Sequence, residues 1–163
     1  MRIHFLVFTF LVASLGVLSQ NTIEATLEQF NSGTIPYITI SELKKDTVSI
    51  KLDTRKMEEY EVSHIESALW VGFENFNLDQ VKKQFPDSST PIVVYCSIGV
   101  RSEQIGEKLQ AAGYTNVKNL YGGIFQWKGE GEKVVDSSGL STERVHAFSK
   151  LWGKLLTNAK KVY

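Results

Sequence analysis

An α/β fold on an open, mostly parallel sheet is the architecture predicted by three features of this 163-residue chain. Short β-branched apolar runs alternate with stretches whose apolar residues recur at helical spacing. One run, "PIVVYC" at 91–96, is apolar throughout, as a strand covered on both faces of a parallel sheet must be. Between these elements stand glycines, prolines and polar residues suited to the short connections of right-handed crossovers. With 42% hydrophobic and 22% charged residues, the chain suits one domain with an ordinary core and leaves no room for a second large one.

The elements follow in order. A short helix is expected around Ile23–Phe30, in a lead-in segment (20–35) ahead of the main domain (36–132). "ITISELKK" offers a helix start with Ser41 as N-cap, and the alternation from Val48 to Leu52 predicts a strand that runs out into polar residues. A short helix around Met57–Tyr60 leads through a turn to a brief strand near Ala68–Val71. Leu78, Val81 and Phe85 share a helical face that Pro86 closes. After the 91–96 strand, Ile105, Leu109 and Ala112 form the apolar stripe of a helix that begins near Ser102 and ends at Gly113. "NVKNLYGGIFQW" reads as a strand, a glycine turn and a helix start. In the extension 133–163, Val145, Phe148, Trp152 and Leu155 lie on one stripe behind Ser141, which predicts a C-terminal amphipathic helix. That helix is expected to pack on its own domain, with docking to a protein partner or a membrane surface as the alternative.

The N-terminus is different in kind. Arg2 and His4 precede the apolar run Phe5–Leu18, and Val17 and Ser19 suit positions minus three and minus one of a cleavage before Gln20. Residues 1–19 are therefore expected to be a signal peptide, and the protein exported, periplasmic or secreted. A retained anchor is the alternative, but a spanning helix needs about 20 apolar residues. After cleavage no integral span is expected. The formal net charge is zero, which gives no electrostatic footprint for nucleic acid.

Export makes the single cysteine informative, since Cys96 has no internal partner for a disulfide. It is a buried hydrophobe, an intermolecular disulfide partner or a reactive thiol. Its position at the carboxyl end of the best strand, where open α/β sheets bind ligands, favours the last. The loop Cys96, Ser97, Ile98, Gly99, Val100, Arg101 feeds a helix at Ser102. Its amides are placed to form an anion-binding nest at the helix's positive end, and Arg101 adds a full charge. Such a setting lowers a thiol's pKa.

Three motifs in order resemble the rhodanese-like domains: "LDTRKMEEYEVSHIESA", "CSIGVRS" and "NLYGGIFQW". They span roughly residues 38 to 130. The resemblance implies a five-stranded, mostly parallel sheet with helices on both faces, and sulfur transfer through a Cys96 persulfide. A small-molecule donor such as thiosulfate or a persulfide would load Cys96, and a thiol or cyanide-like acceptor would discharge it, with no cofactor and no metal. The loop from Ser97 to Ser102 would hold the donor, and Asp53 and Arg55 would support the pocket or simply brace the strand end. Related cysteine-dependent phosphatases and arsenate reductases have a longer loop between cysteine and arginine. Ser97 stands where many active relatives have a basic residue, so thiosulfate is expected to be a poor donor. Ser63, Glu66 and Ser67 also depart from the family's turn sequence. The alternative function is a catalytically idle binding or redox-sensing module. His64 is expected to be structural, Gly122 and Gly123 to permit a tight turn beside the cysteine loop, and Trp127 to sit in the core; His146 has no credible ligand set.

Overall fold

The continuously apolar run at 91–96 becomes the middle strand of the sheet. In a computed structural model that describes residues 22–163, five parallel strands lie in the order β1-β5-β4-β2-β3. They are β1 (Tyr37–Ile38), β2 (Ile50–Asp53), β3 (Leu69–Trp70), β4 (Ile92–Tyr95) and β5 (Val117–Leu120). All four residues of β4 are buried because both faces are covered. Val93 and Tyr95 point into one core with Ile40 and Leu43 of α2 (Ile40–Lys45) and Ile124 and Phe125 of α6 (Gly123–Gly129). Ile92 and Val94 point into the other, with Val81 of α4 (Leu78–Gln84) and Ile105 and Leu109 of α5 (Val100–Ala111). The period of two along β4 thus divides the helices between the faces. Two further helices, α1 (Ile23–Phe30) and α3 (Met57–Val62), lie near the carboxyl end of β4.

Several boundaries move for local reasons. The N-cap of α2 is Thr39, not Ser41: its hydroxyl accepts from the Glu42 amide at 3.2 Å, and the Glu42 carboxylate accepts from the Thr39 amide at 2.8 Å. Strand β2 starts at Ile50 rather than Val48 because the Asp46 carboxylate accepts from the Val48 and Ser49 amides and holds that stretch in a turn. Helix α5 starts at Val100, two residues before Ser102, because Gly99 caps it with φ of 116°.

The tail departs furthest from expectation. No helix forms over 141–155 beyond a single 3-10 turn at Trp152–Leu155. Ser141 lies in β7 (Ser141–Thr142), paired antiparallel with β6 (Val134–Val135). The chain then makes β8 (Arg144–His146), which pairs parallel with β9 (Lys160–Val162). Val145 and Ala147, two residues apart, are buried together with Leu156 in the first core. The helical stripe is a coincidence of spacing; the period that buries the segment is that of a strand. Phe148, at φ of 61°, breaks any helix through it. The tail still packs on its own domain. The expected signal peptide, with its cleavage before Gln20, lies outside the described residues. No helix among the described residues is long and apolar enough to cross a membrane.

Candidate active site

Cys96 follows β4 directly, and the loop after it turns sharply enough to aim amides back at the sulfur. The Gly99 N–H donates to Cys96 Sγ at 3.1 Å. Helix α6 buttresses the loop: the Ile124 and Phe125 amides donate to the Cys96 and Ser97 carbonyls, each at 3.0 Å. At Gly123, with φ of 52°, any Cβ would overlap the Cys96 carbonyl oxygen. The glycine pair therefore permits a turn pressed against the cysteine loop. From the other side, Asn119 Nδ2 and Asn31 Nδ2 donate to the Gly99 carbonyl at 2.8 and 3.0 Å. Ser102, fully buried, donates its hydroxyl to Asn119 Oδ1 at 2.8 Å.

Arg101 does not reach freely into solvent. Its guanidinium makes a two-pronged pair with Glu59 of α3, at 2.7 and 2.9 Å, and also donates to Ser97 Oγ at 3.0 Å. Ser97 Oγ in turn donates to Glu59 Oε1 at 3.1 Å. The Ser97 hydroxyl is thus built into an ion-pair lattice. Burial pushes the Cys96 thiol up, but the Arg101 charge, the Ser102 hydroxyl and amide and the Gly99 amide outweigh it and bring the thiol below its ordinary value. Burial likewise raises the Glu59 carboxyl, and its bonds and charge pairing with Arg101, helped by the Arg55 charge and the Lys56 amide, carry it below the ordinary range.

Asp53 and Arg55 form a fully buried pair at 2.6 Å. Arg55 also donates to the Ser63 carbonyl at 2.7 Å, tying the end of β2 to the turn before His64. Neither lines the cavity above Cys96, and the pair holds the end of β2 against its neighbouring turn. His64 stacks on Tyr60 at 3.9 Å and exchanges backbone bonds with Val135. Trp127 is partly buried against the first core and donates its indole N–H to the Lys133 carbonyl. Among the described residues, no three His, Cys, Asp or Glu side chains gather as a metal site.

The cavity over the sulfur is about 250 Å³, lined by Cys96, Ser97, Ile98, Val100 and Arg101 from the loop, by Phe30 from α1 and by Phe148 and Trp152 from the tail. The sequence reading includes the loop members and misses the rest. Glu59 lies within a quoted motif, and Phe148 and Trp152 lie on the supposed helix stripe. Their meeting at Cys96 depends on long-range packing.

Residues 39–130 match the pattern of the family described as "Rhodanese-like domain". The chain belongs to the rhodanese-like domain family. The thiosulfate sulfurtransferase GlpE of Coxiella burnetii is 30% identical over 94 residues, 58% of this chain and 85% of that protein. A tRNA uridine(34) hydroxylase of Hamiltonella defensa is 31% identical over 94 residues, covering 54% of this chain and 26% of its own. The chain thus spans about a quarter of that relative's length. Among solved structures, the rhodanese-like domain of Anabaena sp. Alr3790 protein matches with a TM-score of 0.56 at 25% identity, over 62% of this chain and 79% of that one. A thiosulfate sulfurtransferase from Pseudomonas aeruginosa shares the fold with a TM-score of 0.60 at 24% identity, over 82% of this chain and 26% of that one. This rhodanese-like chain is thus a module of the sulfurtransferase family.

Proposed function

We propose that this protein is a sulfurtransferase that carries sulfane sulfur on Cys96. The observation that supports this most is the Cys96 sulfur at the end of β4, facing the Gly99 amide at 3.1 Å in a cavity that the loop-borne Arg101 also lines. With thiosulfate as donor, the thiolate attacks the outer sulfur and a new S–S bond forms. The donor's own S–S bond breaks, and sulfite leaves with the electron pair. The persulfide anion is then held by the loop amides and the nearby Arg101 charge. A thiolate or cyanide attacks its outer sulfur, breaks the Cys96 S–S bond and restores the thiolate. No external oxidant or reductant is needed.

The test is thiocyanate production from a sulfane donor and cyanide. A ping-pong pattern of parallel double-reciprocal lines, abolished by Cys96→Ser, is expected. No thiocyanate with any donor would refute the proposal and leave the binding or redox-sensing alternative. We also propose export, on the strength of Arg2 and the run Phe5–Leu18. Protein recovered from cells is then expected to begin at Gln20, and an intact Met1 terminus would refute it.

A further inference from the structure

The lid over Cys96 is built from parts of the chain outside the family-matched region. Phe30 ends α1, and Phe148 and Trp152 come from the tail; the ring centroids of Phe30 and Phe148 lie 6.2 and 6.5 Å from that of Trp152. The lid is anchored. Asn31 at the end of α1 bonds the Gly99 carbonyl, and the Glu103 carboxylate of α5 accepts from the Ser32 amide at 2.8 Å. Phe148 holds φ of 61°, a conformation that costs a non-glycine residue energy, and its amide donates to His146 Nδ1 at 3.1 Å. That backbone sets its ring 4.9 Å from the Arg101 guanidinium carbon.

Charge and shape then point the same way. Arg101 is the only cation lining this cavity among the described residues, and Glu59 already neutralises it. With Cys96 ionised, the three groups sum to one negative charge before any donor arrives. A dianion entering the space between Phe30, Phe148, Trp152, Ile98 and Val100 would lose its water without gaining an unpaired cation. An apolar group would meet matching walls. An apolar cavity of about 150 Å³ is enough to hold benzene, and this one is larger.

We infer that the aromatic lid makes Cys96 selective for an organic sulfane-sulfur donor bearing an aryl or bulky alkyl group, in preference to inorganic thiosulfate. This rests on the sulfurtransferase reading above. With an aryl thiosulfonate, the Cys96 thiolate attacks the outer sulfur and an S–S bond forms. The bond from that sulfur to the sulfonyl sulfur breaks, and the arenesulfinate leaves with the electron pair.

The experiment compares kcat/KM for thiosulfate, methanethiosulfonate and benzenethiosulfonate with cyanide as acceptor, in the full protein and in Phe30→Ala and Phe148→Gly. Methanethiosulfonate and benzenethiosulfonate carry equal charge, so their ratio reports the ring alone. Phe30 is 55% and Phe148 43% exposed, and glycine relieves the strained φ, so both variants are expected to retain the fold. Because the ratio is taken within each variant, any loss of active protein cancels. The wild type is expected to favour benzenethiosulfonate over methanethiosulfonate by roughly tenfold and thiosulfate to be slowest, with the ratio falling several-fold in each variant. A ratio near one in the wild type, a ratio unmoved in both variants, or thiosulfate as the best donor overturns the selectivity while leaving sulfur transfer intact. If none of the three donors yields thiocyanate, the sulfurtransferase reading itself falls.

Discussion

Glu59→Gln removes one charge from the pair that fixes Arg101 beside the cysteine loop. Glu59 is 1% and Arg101 16% exposed, so solvent screens the pair little. Four donors converge on the carboxylate: the Lys56 amide at 3.0 Å, the Ser97 hydroxyl at 3.1 Å, and the two Arg101 prongs at 2.7 and 2.9 Å. Charge centres about 4 Å apart at an effective dielectric of about 20 attract by about 4 kcal/mol. Partial release of Arg101 toward water returns some of this, which leaves an expected loss of about 3 kcal/mol. Urea unfolding at neutral pH measures it, with an unchanged denaturant slope. The pH dependence supplies a second check. Glu59 is held below its ordinary 4.5 in the fold, so its contribution is complete above that value and is lost as pH falls through the depressed folded pKa. The stability gap between wild type and variant should therefore be widest near neutrality and close in acid. A loss under about 1 kcal/mol, the range of exposed pairs, or a gap that stays constant into strong acid, would refute this reasoning.

Other consequences concern the loop, its buttress and the tail. Iodoacetamide alkylation of Cys96 should titrate below the ordinary thiol range, and Arg101→Gln should move the inflection upward, with Arg101→Lys moving it less. An inflection in Arg101→Gln equal to that of wild type would remove Arg101 as a cause. Gly123→Ala forces a Cβ onto the Cys96 carbonyl oxygen at a positive φ and should cost about 3 kcal/mol in urea unfolding, whereas Gly139→Ala, open to solvent, should show only the smaller cost of its own positive φ. Leu156→Ala, buried in the core beneath the tail, should cost about 3 kcal/mol, against within about 0.5 kcal/mol for the exposed Leu140→Ala. Equal effects would mean that the tail does not share the core.

What was legible in the sequence is what short-range periodicity controls. The 91–96 run announces a strand buried on both faces, and the Ile105–Leu109 stripe announces the helix behind it. From these follow the parallel sheet and the position of Cys96 at its carboxyl end. Thr39 of the Thr39–Glu42 capping box and Ser41 both offer a hydroxyl at this helix start, and spacing alone does not choose between the two. The tail was not legible for a physical reason. Val145, Phe148, Trp152 and Leu155 satisfy a helical stripe by spacing alone, while the pairing of β8 with Lys160–Val162 is decided by residues on the far side of the 3-10 turn. The ion pair of Glu59 with Arg101 spans 42 positions, and the Phe30–Trp152 contact joins α1 to the tail. No local pattern encodes either contact, and together they decide how much charge and how much apolar surface the sulfur faces.

Whether Cys96 carries sulfur is tested most directly by intact-mass measurement of the protein and its Cys96→Ser variant after incubation with benzenethiosulfonate, followed by cyanide. The account predicts a gain of one sulfur atom on the wild type, none on the variant, and its release as thiocyanate. A wild type that gains nothing, or a variant that gains the same sulfur, would contradict it.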